Sequence, residues 1–215
     1  MLNEKMVSLG MRRSVIREIF EYGKKRKAEI GEESVFDFSL GNPSVPTPAA
    51  VTAALERIIK ETDPVKLHGY TSAQGDMAVR AKIAGSIEER FGFPANKDLI
   101  YMTCGAAASL TVTLNALINC GDEIIIPSPF FPEYRVFAEN AGAHVVTVQC
   151  RKPDFQLDIK ATENAVTEKT KAIIINSPNN PTGAVFSPDT IKALSDMLCK
   201  KQAEYGTDIY IIADE

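Results

Sequence analysis

The sequence predicts an α/β protein: three layers, helix–sheet–helix, around a mostly parallel central sheet that is incomplete at the C-terminal end of the chain. Two observations carry this expectation. From residue 99 onward, short apolar runs alternate with longer segments of helical period, the pattern of βαβ units. A buried-looking run, Lys171-Ala172-Ile173-Ile174-Ile175-Asn176, leads straight into Ser177-Pro178-Asn179-Asn180-Pro181-Thr182-Gly183. There two prolines fix the backbone, two asparagines offer amides and a glycine relieves the turn. In an α/β sheet such a loop lies at the carboxyl ends of the strands, where ligands bind.

Each element follows in order. Residues 14–28 read as an amphipathic helix with Val15, Ile16, Ile19, Phe20 and Tyr22 as apolar members and Ser14 as its cap, interrupted by Gly23. Residues 35–40 form an extended run stopped by Gly41-Asn42-Pro43. Residues 48–61 read as a helix with Pro48 in its first turn. Residues 75–91 read as a helix because Val79, Ile83, Ile87 and Phe91 recur every four positions, with Gly92 as the stop. Strands follow at 99–103, within 121–126, and at 144–149, 171–176 and 208–213. Helices between them cover 106–118, 132–140, 158–166 and 187–203, the last capped by Ser187. The final apolar run reaches Asp214-Glu215 and stops, so the sequence reads as an N-terminal piece of a longer protein.

Composition narrows the function classes. With 215 residues, 45% hydrophobic and 24% charged, the chain has an ordinary globular balance and room for one large domain. A net charge of −4 argues against non-specific nucleic-acid binding, and Lys24-Lys25-Arg26-Lys27 reads as a solvated helix end. No apolar run is long enough to span a membrane, and residues 1–13 lack the apolar core of a signal peptide. Cys104, Cys120, Cys150 and Cys199 are scattered without CxxC spacing, so no zinc site or redox dithiol is expected, and a cytoplasmic location is. With only His68 and His144, triad or metal chemistry that needs several imidazoles is not expected.

Four further motifs carry chemistry. Thr103-Cys104-Gly105-Ala106-Ala107-Ala108-Ser109 joins a strand to a helix, where small residues let backbone N–H groups cradle an anion. Tight strand–helix packing explains those small residues about as well. Ser128-Pro129-Phe130-Phe131-Pro132 presents two aromatics between prolines, for stacking on a flat ligand or for the core. Asp214 at a strand end is either a partner for a protonated ring nitrogen or a plain acidic terminus. Tyr70, in His68-Gly69-Tyr70-Thr71, lies in a polar loop ahead of a helix, where a tyrosine is usually a packing residue and less often a functional one.

In this order, together with Leu40-Gly41-Asn42-Pro43, these motifs resemble the fold-type I pyridoxal-phosphate (PLP) enzymes, the class I/II aminotransferases of the aspartate aminotransferase superfamily. The resemblance covers essentially the whole chain. It implies residues 1–45 as a helix and arm contributing to a small domain and a dimer contact, and 46–215 as the large PLP-binding domain. It further implies that Gly105, Ala106 and Ala107 cradle the phosphate, Phe131 stacks on the pyridine ring, and Asn180 bonds the phenolic oxygen. Asp214 would pair with the ring nitrogen, Gly41 would lie near the substrate carboxylate, and Tyr70 would reach the phosphate of the neighbouring subunit in a homodimer. The family's Schiff-base lysine follows the aspartate; here the last lysine is Lys201, so no catalytic residue is assigned and the 215 residues alone are not expected to transaminate. The same cofactor set serves a C–S β-lyase, and aminotransferase-like domains also act as PLP or amino-acid sensors. A sensor usually joins such a domain to a basic DNA-binding domain; the sequence runs from Met1 straight into aminotransferase-like motifs, so a sensor is not the expected reading.

Overall fold

A computed structural model describes residues 2, 4–11, 15–39, 41 and 45–215. Ser14 as a helix cap, and Leu40, Asn42 and Pro43 around Gly41, lie outside the described residues. The chain divides into two units, Met1–Tyr70 and Thr71–Glu215.

The first unit contains α1 (Glu4–Met11), α2 (Val15–Ile30), α3 (Ala49–Glu61) and α4 (Pro64–His68). Gly23 is the buried residue of α2, because Asp37 approaches it so closely that a Cβ there would stand 2.9 Å from Asp37 Oδ2. Lys27 Nζ meets the same carboxylate at 3.5 Å, and the Ser39 amide donates to Asp37 Oδ1 at 3.0 Å. The Ser39 hydroxyl and amide, then the Lys27 charge, hold the Asp37 carboxyl below its ordinary range. Pro48 stands just ahead of α3 as its N-cap rather than inside the first turn. Asp63 caps α4 by accepting from the Lys66 amide at 3.0 Å. Neither α1 nor α4 was expected from the sequence; both are short, and α4 is nucleated by a cap and a proline rather than by an apolar stripe.

In the second unit, α5 (Met77–Phe91) starts at an Asp76 cap and ends at Gly92, whose φ of 65° is the left-handed conformation that stops a helix. Its buried residues are Arg80 and Ala84. Val79 and Phe91, two members of the expected stripe, are exposed. Arg80 turns inward to donate to the Lys97 carbonyl at 2.9 Å and the Gly75 carbonyl at 3.3 Å. Residues 99–103, expected as a strand, pair with no strand among the described residues; Leu99, Tyr101 and Met102 are exposed, and the Met102 amide donates to the Gln74 carbonyl at 3.0 Å. An extended run becomes a strand only through ladder partners, and the described residues give this run none.

The rest follows the expected alternation: α6 (Ala106–Leu117), β1 (Glu123–Ser128), α7 (Glu133–Asn140), β2 (His144–Gln149), α8 (Ile159–Ala165), β3 (Thr170–Asn176), α9 (Pro188–Tyr205) and β4 (Tyr210–Asp214). The four strands form one parallel sheet in the order β2-β1-β3-β4. Alternate isoleucines serve opposite faces. Ile124, Ile126 and Ile174 pack with Leu110 and Leu114 of α6 and Tyr134 and Ala138 of α7. Ile125, Ile173 and Ile175 pack with Leu157, Val166 and Leu194, Met197 and Leu198 of α9. Three layers result, as expected. Ser187 caps α9 by accepting from the Thr190 amide at 3.1 Å. Among the described residues, no helix is long and apolar enough to cross a membrane.

Two outcomes follow from this packing. Leu114→Ala, at a fully buried position, is expected to cost about 2–5 kcal/mol of stability in denaturant titration, against less than about 0.5 kcal/mol for Val112→Ala on the exposed side of α6. The stability difference between wild type and Asp37→Asn is expected to be fully present above the ordinary carboxylate range and to shrink as the pH falls through the lowered Asp37 value, followed by unfolding at a series of pH values.

Candidate active site

In a parallel sheet all strand ends of one sense share an edge. Here β1 leads through α7 to β2 on one side, while β3 leads through α9 to β4 on the other. The crevice between the carboxyl ends of β1 and β3 is therefore a topological switch point. Pro127 brings no N–H to the ladder. β1 pairs with β3 only from Glu123 to Ile125, whereas its pairing with β2 continues to Ser128. The loops leaving β1 and β3 thus separate at this edge.

The loop after β1 carries Phe131, half-buried, and turns directly into α7. The Tyr134 amide donates to the Phe131 carbonyl at 3.1 Å, and the two rings meet edge to face with centroids 5.5 Å apart and planes at 79°. Tyr134 is 2% exposed, and its hydroxyl donates to Asp214 Oδ2 at the end of β4. Burial first, then the hydrogen bond and charge of Asp214, raise the Tyr134 phenol above its ordinary value.

Asn176, the last residue of β3, works in two directions. Its Nδ2 donates to the Asp214 carbonyl at 2.8 Å, and its Oδ1 accepts from the Asn180 amide at 2.6 Å. The rest of the loop is tied by its own polar groups. Asn179 Oδ1 accepts from the Thr182 hydroxyl at 2.9 Å, the Gly183 amide donates to the Asn179 carbonyl at 2.7 Å, and Ser177 Oγ accepts from the Phe186 amide at 3.0 Å. The Asn180 side chain is left exposed.

Helix α6 enters β1 through residues 118–122, so its C-terminal end lies at the opposite edge and its N-terminus faces the strand carboxyl ends. Gly105 is the N-cap, with φ 100°, a conformation open to glycine, and it offers no side-chain cap. The Ala108 and Ser109 amides donate to the Gly105 carbonyl at 3.1 and 3.2 Å, which leaves the Ala106 and Ala107 amides ahead of the first turn's bonds and exposed. The Thr103 hydroxyl donates to the same carbonyl at 3.1 Å and meets Ser109 Oγ at 2.6 Å, bracing the turn. Gly41 and Tyr70 belong to the first unit and are exposed there.

A family model described as aminotransferase class I and II matches residues 33–206. The chain belongs to the class I and II aminotransferases. This aminotransferase chain is 34% identical over 212 residues to the aspartate aminotransferase of Thermotoga maritima, covering 98% of the chain and 54% of the relative. It is 32% identical over 183 residues to the alanine aminotransferase of Mycobacterium tuberculosis, covering 84% of the chain and 41% of the relative. A crystal structure of an amino transferase from Eubacterium rectale superposes with a TM-score of 0.96 at 51% identity, over 100% of this chain and 54% of that one. The chain spans about half the length of the curated relatives it matches.

Of the residues singled out in this aminotransferase sequence, Phe131 and Asp214 are joined through Tyr134, and Asp214 and Asn180 through Asn176. Sequence reasoning missed both joining residues. Tyr134 stands three positions after Phe131, one helical turn along, and Asn176 is the polar residue closing an apolar strand; those were the available signals. Asn176→Ala is expected to speed exchange of the Asn180 amide about tenfold, while the Asn179 amide, bonded to the Ala184 carbonyl, stays protected; amide hydrogen exchange reads both.

Proposed function

We propose that the whole protein is a PLP-dependent aminotransferase that moves an amino group between an amino acid and a 2-oxo acid. The observation that carries this reading is one connected constellation, Phe131–Tyr134–Asp214–Asn176–Asn180, at the sheet edge faced by the uncapped N-terminus of α6.

The residues fit the cofactor part by part. A dianionic phosphate needs unspent N–H donors and room for close approach. Ala106 and Ala107 begin an uncapped helix, and apart from Gly105 and its two chain neighbours no atom of the described residues lies within 4 Å of where a Gly105 Cβ would stand. A protonated ring nitrogen needs a fixed carboxylate, and Asp214 has one oxygen held by Tyr134 and its backbone carbonyl held by Asn176. A phenolic oxygen needs a donor, and Asn180 presents its side chain on an anchored backbone. Phe131 would fix the ring plane, a stacking contribution of about 1 kcal/mol. When bound, PLP supplies a conjugated electron sink for the electron pair left on the substrate Cα.

The remaining roles rest on the family resemblance. Gly41 places its backbone near the substrate carboxylate, and Tyr70 reaches the phosphate of a neighbouring subunit, so the working form is a homodimer in the cytoplasm. Residues 1–45 serve as helix and arm, and 46–215 as the cofactor-binding domain. Lys201 is unsuited to hold the cofactor: it lies on α9, bonded to Glu204 at 2.9 Å, and precedes Asp214 in the chain. The lysine of this chemistry belongs after Asp214. The relatives' names, aspartate and alanine aminotransferase, set the first substrates to try.

In the whole protein, PLP with aspartate or alanine and a 2-oxo acid acceptor is expected to give amino transfer. Asp214→Ala is expected to lower kcat/KM on the order of tenfold to a hundredfold. The 215-residue chain by itself is expected to stay at the rate of free PLP. Absence of PLP-dependent transfer by the whole protein across a panel of amino acids overturns the reading.

A further inference from the structure

We propose that Tyr134 is a positioning residue for the cofactor's ring nitrogen: its hydroxyl locks the Asp214 carboxylate in one rotation, leaving the second oxygen for the ring N–H. The inference rests on the PLP reading above and deepens it.

Three observations support it. First, Tyr134 is buried in the apolar cluster formed by Leu110, Leu114, Ile124, Ile126 and Ile212, where its ring cannot swing. A phenol in such a place needs a hydrogen-bond partner, and Asp214 Oδ2 is the one that the described residues give it. Second, Asp214 is gripped at two points of different kind. Asn176 holds its backbone carbonyl at 2.8 Å, and Tyr134 holds its side chain. The backbone grip sets where the residue sits, and the side-chain grip removes the remaining rotational freedom of the carboxylate. Third, Tyr134 also fixes Phe131, by the amide-to-carbonyl bond at 3.1 Å and the edge-to-face contact at 5.5 Å. One residue thus sets the stacking ring and the charged partner relative to each other, although one comes from the loop after β1 and the other from the end of β4, on either side of the β1/β3 crevice. A ring placed over Phe131 would meet Asp214 at a separation defined by a single side chain.

The test separates positioning from packing. In the whole protein, dissociation constants are measured for PLP and for 1-deaza-PLP, in which the ring nitrogen is replaced by carbon, with thermal unfolding as a check on folding. Tyr134→Phe keeps the ring and removes only the hydroxyl. It is expected to weaken PLP about tenfold and the deaza analogue less than about twofold, because the analogue has no ring N–H for Asp214 to meet. In an Asp214→Asn background the same substitution is expected to change PLP affinity less than about twofold, since the interaction it serves is already altered. Equal losses for PLP and its analogue, or a loss that persists undiminished beside Asp214→Asn, make Tyr134 a packing residue and overturn the inference. Unchanged PLP affinity in Tyr134→Phe also overturns it. Failure of the wild-type protein to bind PLP at all overturns the functional reading, and this inference with it.

Discussion

Burial of the central strands on both faces is the constraint on which the rest depends. Ile124, Ile125 and Ile126 of β1 and Ile173 and Ile174 of β3 are all essentially inaccessible, so neither face of the sheet can be left to water. A parallel pair cannot be closed by a hairpin, so each return crosses over through a helix: α7 on one face, α8 and α9 on the other. With the strands aligned and both faces filled, polar side chains near the sheet are pushed to its edges. The carboxyl edge collects Ser128, Asn176 and Asp214, each the last residue of its strand. The site is what this exclusion leaves at one end.

The parallel core was legible because its signal is local and strong. Runs of isoleucine bounded by glycine, proline and asparagine marked β1 and β3, and the span 144–149 coincides with β2. Residues 99–103 misled for the same reason: their apolar, extended character is real, but strand formation depends on a neighbour that no local pattern specifies. The α5 stripe misled differently. Period-four spacing identified the helix, yet its buried face is set by Arg80, which reaches two backbone carbonyls far apart in sequence. A charged side chain is read as solvent-facing unless its carbonyl partners are known.

The candidate site divides along the same line. Gly105, Phe131, Asn180 and Asp214 stand in turns or at element ends whose chemistry shows in a few consecutive residues. Tyr134 and Asn176 acquire their roles from partners 80 and 38 residues away, Asp214 in both cases. Tyr134 in particular looks like an ordinary apolar position on a short helix until β4 is laid beside β3.

The loop that follows β3 has a thermodynamic consequence. Residues 177–187 are cross-tied by Ser177, Asn179 and Thr182 and docked from outside by Gln156, which accepts from the Ser187 amide at 2.9 Å and donates to the Val185 carbonyl at 2.9 Å. Two prolines narrow it further. Its conformational entropy is surrendered during folding, in the same step that forms the core, rather than on encounter with a ligand. A molecule arriving at this edge meets a surface already in shape, and little of its binding free energy is diverted to ordering the chain.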